Sequence, residues 1–342
     1  MTVGLMLESL SEVTWFTAVS GSVFAAALLI ALLVDHTLGE PPARWHPVVW
    51  MGNYLNAAAK RVLPASPVPP TSPTPPTTRD LKAFTLGALY WWLGAAITLI
   101  VSVLLQWALL QLPWALAALL VGLALKPLLA WAMLRLEVQA VEKALAESLE
   151  AGRERLSWLV SRDTSSLSES EVRESAIESL AENLNDSVVA PIFWFVLFGL
   201  PGAAIYRFAN TADAMWGYKG MRNGVNWEWA GKWAAWADDV LSWLPARITA
   251  LLIALISGGI RLNLLCTEAR KTPSPNSGWP MAAMALALGV RLQKPRVYIL
   301  NASGRLPESI DTFFAQKIAS KVVLSALLSA QAAIIFIAFL KC

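Results

Sequence analysis

AFTLGALYWWLGAAITLIVSVLLQWALLQLPWALAALLVGLALKPLLAWAML, residues 83–134, carries one charged side chain, Lys126. A helix needs roughly 20 apolar residues to cross a hydrocarbon core about 30 Å thick, so this stretch is too long for a single crossing. Gln111, Leu112 and Pro113 interrupt it, and proline removes a backbone donor that a helix interior requires. The stretch therefore predicts an antiparallel pair of membrane helices. Upstream, residues 15–34 carry no charge and predict another span; downstream, residues 240–260, with Arg247 near their start, and 322–340, closed by Lys341, predict two more. Residues 188–206 contain Pro191 and Pro201, and 279–290 are too short to cross, so both predict broken or re-entrant helices. The fold class is all-α: a polytopic integral membrane protein with about five to eight membrane-embedded helices, some broken or re-entrant, and additional cytoplasmic helices.

Composition agrees. Of 342 residues, 56% are hydrophobic and only 15% charged, well below the charge of ordinary soluble domains. A net charge of +3 gives no nucleic-acid footprint. Cys266 and Cys342 show no CxxC or Cys/His spacing, so neither a disulfide framework nor a zinc site is implied. The 17 tryptophans suit interfacial belts, although core packing accounts for individual ones equally well. Before Arg44 there are acids at Glu8 and Glu12 but no Lys or Arg, unlike a cleaved secretory leader.

The chain reads as one membrane-embedded domain over 1–342. Residues 64–80, rich in Pro, Ser and Thr, read as an extended linker, and the mixed-charge segment 135–187 as helices outside the hydrocarbon. Lys60, Arg61, Arg79 and Lys82 lie between the first two spans, which places that loop in the cytoplasm. No internal repeat of the transporter kind is visible.

Polar side chains gather in a few clusters. Glu171, Glu174, Glu178, Glu182 and Asp186 recur at spacings of three and four, with Asn183 and Asn185 beside them, which stacks the carboxylates on one helical face. Such a stripe is ordinarily a solvated face, but this one runs into the apolar segment from Val188, where carboxylates are costly unless paired, metal-bound or substrate-bound. Arg207, Asn210, Asp213, Tyr218, Lys219 and Arg222 follow that segment. The cations there can hold phosphate oxygens and the Asn/Asp pair can complete a magnesium shell, or the charges simply snorkel to a headgroup surface. Asp238 and Asp239 enter a predicted span, either as a magnesium or amine site or as an internal pair with Arg247. Asp35, His36, Glu40, Arg44 and His46 include both histidines, fit for proton transfer or for interfacial hydrogen bonding. Ser274 to Gly278 form a turn sequence. GxxxxGK[ST], GxGxxG and GxSxG are all absent, so a P-loop, a Rossmann site and a hydrolase elbow are unsupported.

Six blocks, in this order and separation, resemble the signature of the CbiB/CobD family: DHTLGEPPARWHPVVWMG from Asp35, SRDTSSL from Ser161, ESLAENLNDSVVAPIFW from Glu178, YRFANTADAMWGYKG from Tyr206, DDVLSWLPARITALL from Asp238 and SPNSGWPMAAMALALGV from Ser274. The resemblance implies an adenosylcobinamide-phosphate synthase. That is an inner-membrane, multi-pass ligase with a cytoplasm-facing site, which joins 1-amino-2-propanol O-2-phosphate or a similar amino alcohol phosphate to the propionate of adenosylcobyric acid. ATP and Mg²⁺ are implied as cofactors and the corrinoid as a substrate. The bilayer, a homo-oligomer or other cobalamin-pathway membrane enzymes are implied as partners.

On the same resemblance Glu178, Glu182, Asp186, Asp213, Asp238 and Asp239 are the catalytic candidates, and Glu182, Asp186 and Asp213 the magnesium ligands, helped by Asn183 and Asn210. Arg207, Lys219 and Arg247 would hold phosphates, while Tyr218, Asn276 and His46 join them in substrate binding. One of Asp238 and Asp239 would take the amine proton. The chain departs from the family's usual wording at Gly39-Glu40-Pro41, Ser161-Arg162-Asp163-Thr164, Leu184-Asn185-Asp186-Ser187, Trp236-Ala237-Asp238 and around Met221, Arg222 and Asn223. Rival classes are a small-molecule transporter, which would place its polar groups at mid-span, an aspartate-motif prenyltransferase and a non-catalytic corrinoid-binding scaffold.

Overall fold

The computed structural model describes residues 18–63, 79–222 and 224–340. Most of the predicted linker, the stretch with Glu8 and Glu12, and Asn223, Lys341 and Cys342 lie outside the described residues.

The chain is helical almost throughout. Helix α1 (Ala18–Leu38) ends at Gly39, whose φ of +67° suits a residue without Cβ. A short 3₁₀ turn (Ala43–Trp45) leads to α2 (Pro47–Val62), with proline at the helix start where no intrahelical amide is needed. The long run at 83–134 divides at its proline into α3 (Leu81–Leu110) and α4 (Trp114–Leu125). A 3₁₀ turn at Lys126–Leu128 then passes into α5 (Trp131–Glu147), followed by the short α6 (Leu149–Leu156). Helix α7 (Glu169–Leu184) starts at a capping box formed by Ser168 and Glu171 and runs through a π-helical turn (Asn185–Val189) into α8 (Ala190–Trp216).

A small hairpin, β1 (Met221–Arg222) with β2 (Val225–Asn226), precedes α9 (Lys232–Ile256), α10 (Leu262–Ala269) and α11 (Gly278–Leu288). A second hairpin, β3 (Leu292–Lys294) with β4 (Tyr298–Leu300), precedes the last helix, α12 (Ser309–Phe339). Neither hairpin is read in the sequence, although Pro295 followed by Val297, Tyr298 and Ile299 is a hairpin-like signal.

Six helical stretches among the described residues are long and apolar enough to cross a membrane: Ser20–Leu38, Leu81–Leu110, Trp114–Glu147, Glu169–Trp216, Lys232–Ile256 and Ser309–Phe339. The chain is a polytopic all-α membrane protein. The short apolar segment near 279–290 is α11, buried along Met281 to Ala285 and stopped by Gly289 in the left-handed conformation. The predicted break in 188–206 is a kink at Gly199 and Pro201.

Helices in lipid associate by close van der Waals packing rather than by hiding apolar surface from water, which favours small residues at contacts. Gly122 of α4 shows this: a Cβ there would lie 2.8 Å from the Ala27 carbonyl oxygen and 2.9 Å from Ile30 Cβ of α1. On α3, Ala83, Gly87, Trp91, Gly94, Ala95, Ser102 and Gln106 face inward, while Leu89, Trp92, Ile100, Val101 and Leu104 are exposed. Tryptophans fall on both sides of this division, with Trp91 and Trp216 buried and Trp50, Trp114 and Trp243 exposed.

The kink in α8 is satisfied from outside its own helix. Gln106 of α3 is fully buried, and its Oε1 accepts a hydrogen bond from Leu200 N at 2.7 Å. Gly199 allows the approach, since a Cβ on it would sit 2.2 Å from that oxygen. Gln106→Leu removes the acceptor and leaves the Leu200 amide unpaired in an apolar core, at an expected cost of about 1–3 kcal/mol. The measurement is the thermal midpoint of the detergent-purified variant; an unchanged midpoint would show that the kink needs no outside partner.

Candidate active site

The acidic stripe on α7 is not a solvated face. Glu174 is fully buried and Glu178 nearly so, because α7 packs between α5, α11 and α12. Glu174 accepts from Gln293 N at 3.0 Å and lies 3.4 Å from Arg291 Nη2. One turn on, Arg162 Nη2 donates to Ser175 Oγ at 2.5 Å and to Glu178 Oε2 at 3.2 Å. Arg162, Glu178, Glu182 and Asn183 line one small polar pocket with Ser161, Lys294 and Tyr298. Burial, followed by the charge of Glu178, raises the ionisation of the Tyr298 phenol well above its ordinary range, so Tyr298 stays a neutral hydroxyl.

The π-turn re-aims the next two residues. Such a turn inserts one residue into a helical repeat and recurs at functional sites. Asn185 Nδ2 donates to Asp186 Oδ1 at 2.7 Å, and Thr249 Oγ1 of α9 donates to Asn185 Oδ1 at 3.1 Å. From α8, Tyr206 hydroxyl reaches Asp186 Oδ1 at 3.5 Å and Ser242 Oγ at 3.1 Å. Arg207 Nη1 donates to the Asp186 carbonyl at 3.0 Å, Ser187 Oγ at 3.3 Å and Asn210 Oδ1 at 3.4 Å. Asn210 Nδ2 in turn donates to Asp238 Oδ1 at 3.4 Å. The fold thus gathers Asp186, Arg207, Asn210 and Asp238 from α8, α9 and the turn before them, and Glu182 is an electrostatic neighbour of Asp186.

Other sequence candidates sit at the edge of this network. Asp213 is close to Asp186 and Asp239 electrostatically, and Gly217 leaves room for its carboxylate, a Cβ there falling 1.9 Å from Oδ1. Lys219 is exposed and is an electrostatic neighbour of Asp239. Tyr218 is turned to its own helix, its hydroxyl bonding the Ala214 carbonyl and its ring carrying the Arg222 guanidinium at 3.6 Å. Arg247 bonds Asn276 Oδ1 at 2.8 Å and the carbonyls of Trp243 and Pro275, and lies over the rings of Trp243 and Trp279. Asn276 Nδ2 returns to the Asp239 carbonyl at 2.7 Å. Arg247 is therefore linked to the Asp239 backbone through Asn276.

His46 serves the segment after α1. Its Nδ1 accepts from Val48 N at 3.3 Å, capping α2, so its Nε2 donates to Glu40 Oε2 at 3.1 Å. Glu40 also meets Lys126 Nζ at 2.7 Å, and Lys126 lies 3.4 Å from Asp35, which accepts from Ala132 N at the start of α5. The lone charge of the 83–134 run is thus neutralised by Asp35 at the end of α1 and Glu40 just after it, and Glu40 is an electrostatic neighbour of Arg207.

Among the described residues, no three His, Cys, Asp or Glu side chains form a metal-holding group. Glu182, Asp186 and Asp213 therefore do not make a three-carboxylate cage. A hydrated Mg²⁺ needs only one or two carboxylates together with substrate phosphates, and Asp186 and Asp238, bridged by Asn210, are oxygen donors that fit that smaller demand.

The profile of CobD/Cbib protein matches residues 28–325. The chain belongs to the CobD/CbiB family. A cobalamin biosynthesis protein CobD of Chromobacterium violaceum is 44% identical over 274 residues, covering 78% of this chain and 81% of the relative. A probable cobalamin biosynthesis protein CobD of Methanothermobacter thermautotrophicus is 39% identical over 284 residues, covering 80% and 86%. The CobD protein of Brucella anthropi is 38% identical over 307 residues, covering 83% and 88%. No solved structure matches the chain. Within this family member, Lys294 and Tyr298 join the polar layer without having been singled out in the sequence, and Lys126, noted there only as the one charge of its apolar run, joins it too. Lys126 had a signal, since a lone lysine in an apolar run needs a counter-charge.

Two outcomes are expected for the Asp35–Lys126–Glu40–His46 chain. Lys126→Met leaves two acids without their cation in the bundle and should cost about 3–5 kcal/mol, read as a fall in thermal midpoint; an unchanged midpoint would remove the ion pairs from the stability of the fold. Burial opposes ionisation of Glu40, but hydrogen bonds from His46 and Lys126 outweigh it and hold the carboxyl below its usual range. Its stabilising contribution is then full above the unfolded glutamate value of about 4.3 and fades as pH falls through the lower native value. Glu40→Gln should accordingly flatten the acid limb of a stability-against-pH curve below about pH 4.3 while leaving its slope near neutrality unchanged.

Proposed function

We propose that the chain is an adenosylcobinamide-phosphate synthase of cobalamin biosynthesis. It would ligate an amino alcohol phosphate, such as 1-amino-2-propanol O-2-phosphate, to the propionate carboxylate of adenosylcobyric acid, with ATP. The observation that carries this reading is the continuous polar layer of Glu178, Glu182, Asp186, Asn210 and Asp238, faced by Arg162, Arg207 and Lys294, inside a chain of this family. Buried charges of both signs are costly to keep in a membrane protein and mark functional sites.

A carboxylate does not condense with an amine in water. ATP, with Mg²⁺, would supply phosphorylation of the propionate, giving an acyl phosphate and ADP. Attack by the amine nitrogen then forms the amide bond, breaks the acyl–phosphate bond and releases inorganic phosphate. Asp186 and Asp238 would hold the metal, and Arg207, fixed to the Asp186 carbonyl, would add a positive charge beside the transferred phosphoryl group. Glu182, the electrostatic neighbour of Asp186, is the candidate to receive the proton that the amine loses. The basic residues between the first two spans favour a site that opens to the cytoplasm, and an inner-membrane location goes with the family reading.

The test is a mass-resolved assay of detergent-purified protein with adenosylcobyric acid, 1-amino-2-propanol O-2-phosphate and Mg-ATP. Wild type should form the amide, and Asp186→Asn and Asp238→Asn should each lower kcat by about 10²-fold or more, the scale seen when one electrostatic contact to a transition state is removed. Absence of product from this and other small amino alcohol phosphates would reject the synthase reading.

A further inference from the structure

The pocket beside α7 has a volume of about 170 Å³ and is walled by Ser161, Arg162, Ser175, Glu178, Glu182 and Lys294, among others. It lies below the roughly 300–1,000 Å³ of sites that enclose drug-sized ligands, a size that suits a small molecule. Its groups are mismatched in a particular way. Arg162 Nε and Nη1 are buried without a hydrogen-bond partner, although buried polar atoms are nearly always paired. Unpaired donors on a cation thus share the same small space with two acids, Glu178 and Glu182.

The β3–β4 hairpin builds the opposite wall. Lys294 and Tyr298 are direct cross-strand partners, and the turn between them is closed by Val297 N donating to the Lys294 carbonyl at 3.0 Å. Pro295 sits at the corner position that suits its fixed φ. Arg296 follows in the left-handed region, with φ of +62°. The hairpin leaves Lys294 exposed at the pocket's edge, with Glu178 and Glu182 as its electrostatic neighbours.

A site of cations alone would take any phosphate, and a site of acids alone any amine. We propose that this pocket is the binding site of the small zwitterionic co-substrate, a phosphorylated amino alcohol, with its phosphate on Lys294 and Arg162 and its ammonium towards Glu178 and Glu182. The assignment rests on the ligase reading above and adds to it which part of the polar layer takes which substrate. Glu182 adjoins Asp186 electrostatically, so the nitrogen end of the ligand lies on the side where the carboxylate would be activated. Lys294 is then the residue that distinguishes the phosphorylated amine from the free amino alcohol.

Two measurements on the full-length protein in detergent test this. The first is a thermal-shift titration with 1-amino-2-propanol O-2-phosphate alone; wild type should give a saturable shift, lost in Lys294→Ala and recovered in Lys294→Arg. The second is steady-state kinetics. Lys294→Ala should raise KM for the amino alcohol phosphate by about ten- to hundredfold and erode the preference over unphosphorylated 1-amino-2-propanol by a similar factor, while KM for Mg-ATP and adenosylcobyric acid stays within about twofold. Lys294 is exposed, so this variant does not depend on the buried Arg162–Glu178 contact for folding. Product formed with an unchanged KM for the amino alcohol phosphate in Lys294→Ala and in Arg162→Lys would overturn the pocket assignment and leave the synthase reading standing. A Lys294-dependent shift without any product would support the pocket and reject the synthase reading; no shift in wild type would overturn the pocket.

Discussion

A backbone amide or a charged side chain inside hydrocarbon has no water to turn to, and three irregularities in the described residues are organised around that constraint. Where α8 breaks at Gly199 and Pro201, the amide of Leu200 is met by Gln106 from α3. Where α5 begins, the amide of Ala132 is met by Asp35 from α1, and the charge of Asp35 is met by Lys126. The π-turn at Asn185–Val189 is bracketed in the same way, by Thr249, Tyr206 and Arg207 from its two neighbours. Each of these three departures from regular helix is met by a side chain distant in sequence.

These exchanges require helices to lie close together. Glycine at 122 lets α4 approach the α1 backbone, and glycine at 94 makes room for Phe208 and Tyr54. Close packing by small residues also keeps lipid out of the polar layer, so the carboxylates from Glu178 to Asp238 share a protected environment instead of facing acyl chains. Placing the acids there is unfavourable unless counter-charges are at hand, and Arg162, Arg207, Lys126 and Lys294 arrive from four separate parts of the chain.

The candidate site has two halves of different chemistry. One, beside α7 and the β3–β4 hairpin, is small and carries both signs of charge; the other, at the π-turn, α8 and α9, is a set of carboxylates and amides around Arg207. Glu182 and Asp186, one helical turn apart, join them. On the proposed ligase reading, such a division would keep the amine close to the activated carbon without competing for the phosphoryl group.

Local chemistry made much of this legible in the chain itself. Hydropathy over some twenty residues decides whether a segment can enter a bilayer, and proline acts on its own helix, so the membrane class, the division near Pro113 and the break near Pro201 follow from sequence alone. The clustering of Glu178, Glu182 and Asp186 with Asn210 and Asp238 was visible as blocks rich in polar groups, but not whether those groups face water. Burial of Glu174 and Glu178 is a property of α5, α11 and α12 closing over α7, and no helical spacing reports it. Nor does spacing reveal that Lys126 answers Asp35 and Glu40, or that Lys294 closes the pocket of Glu178. Ion pairing depends on distances between segments far apart in the chain, and only the packed helices fix those distances.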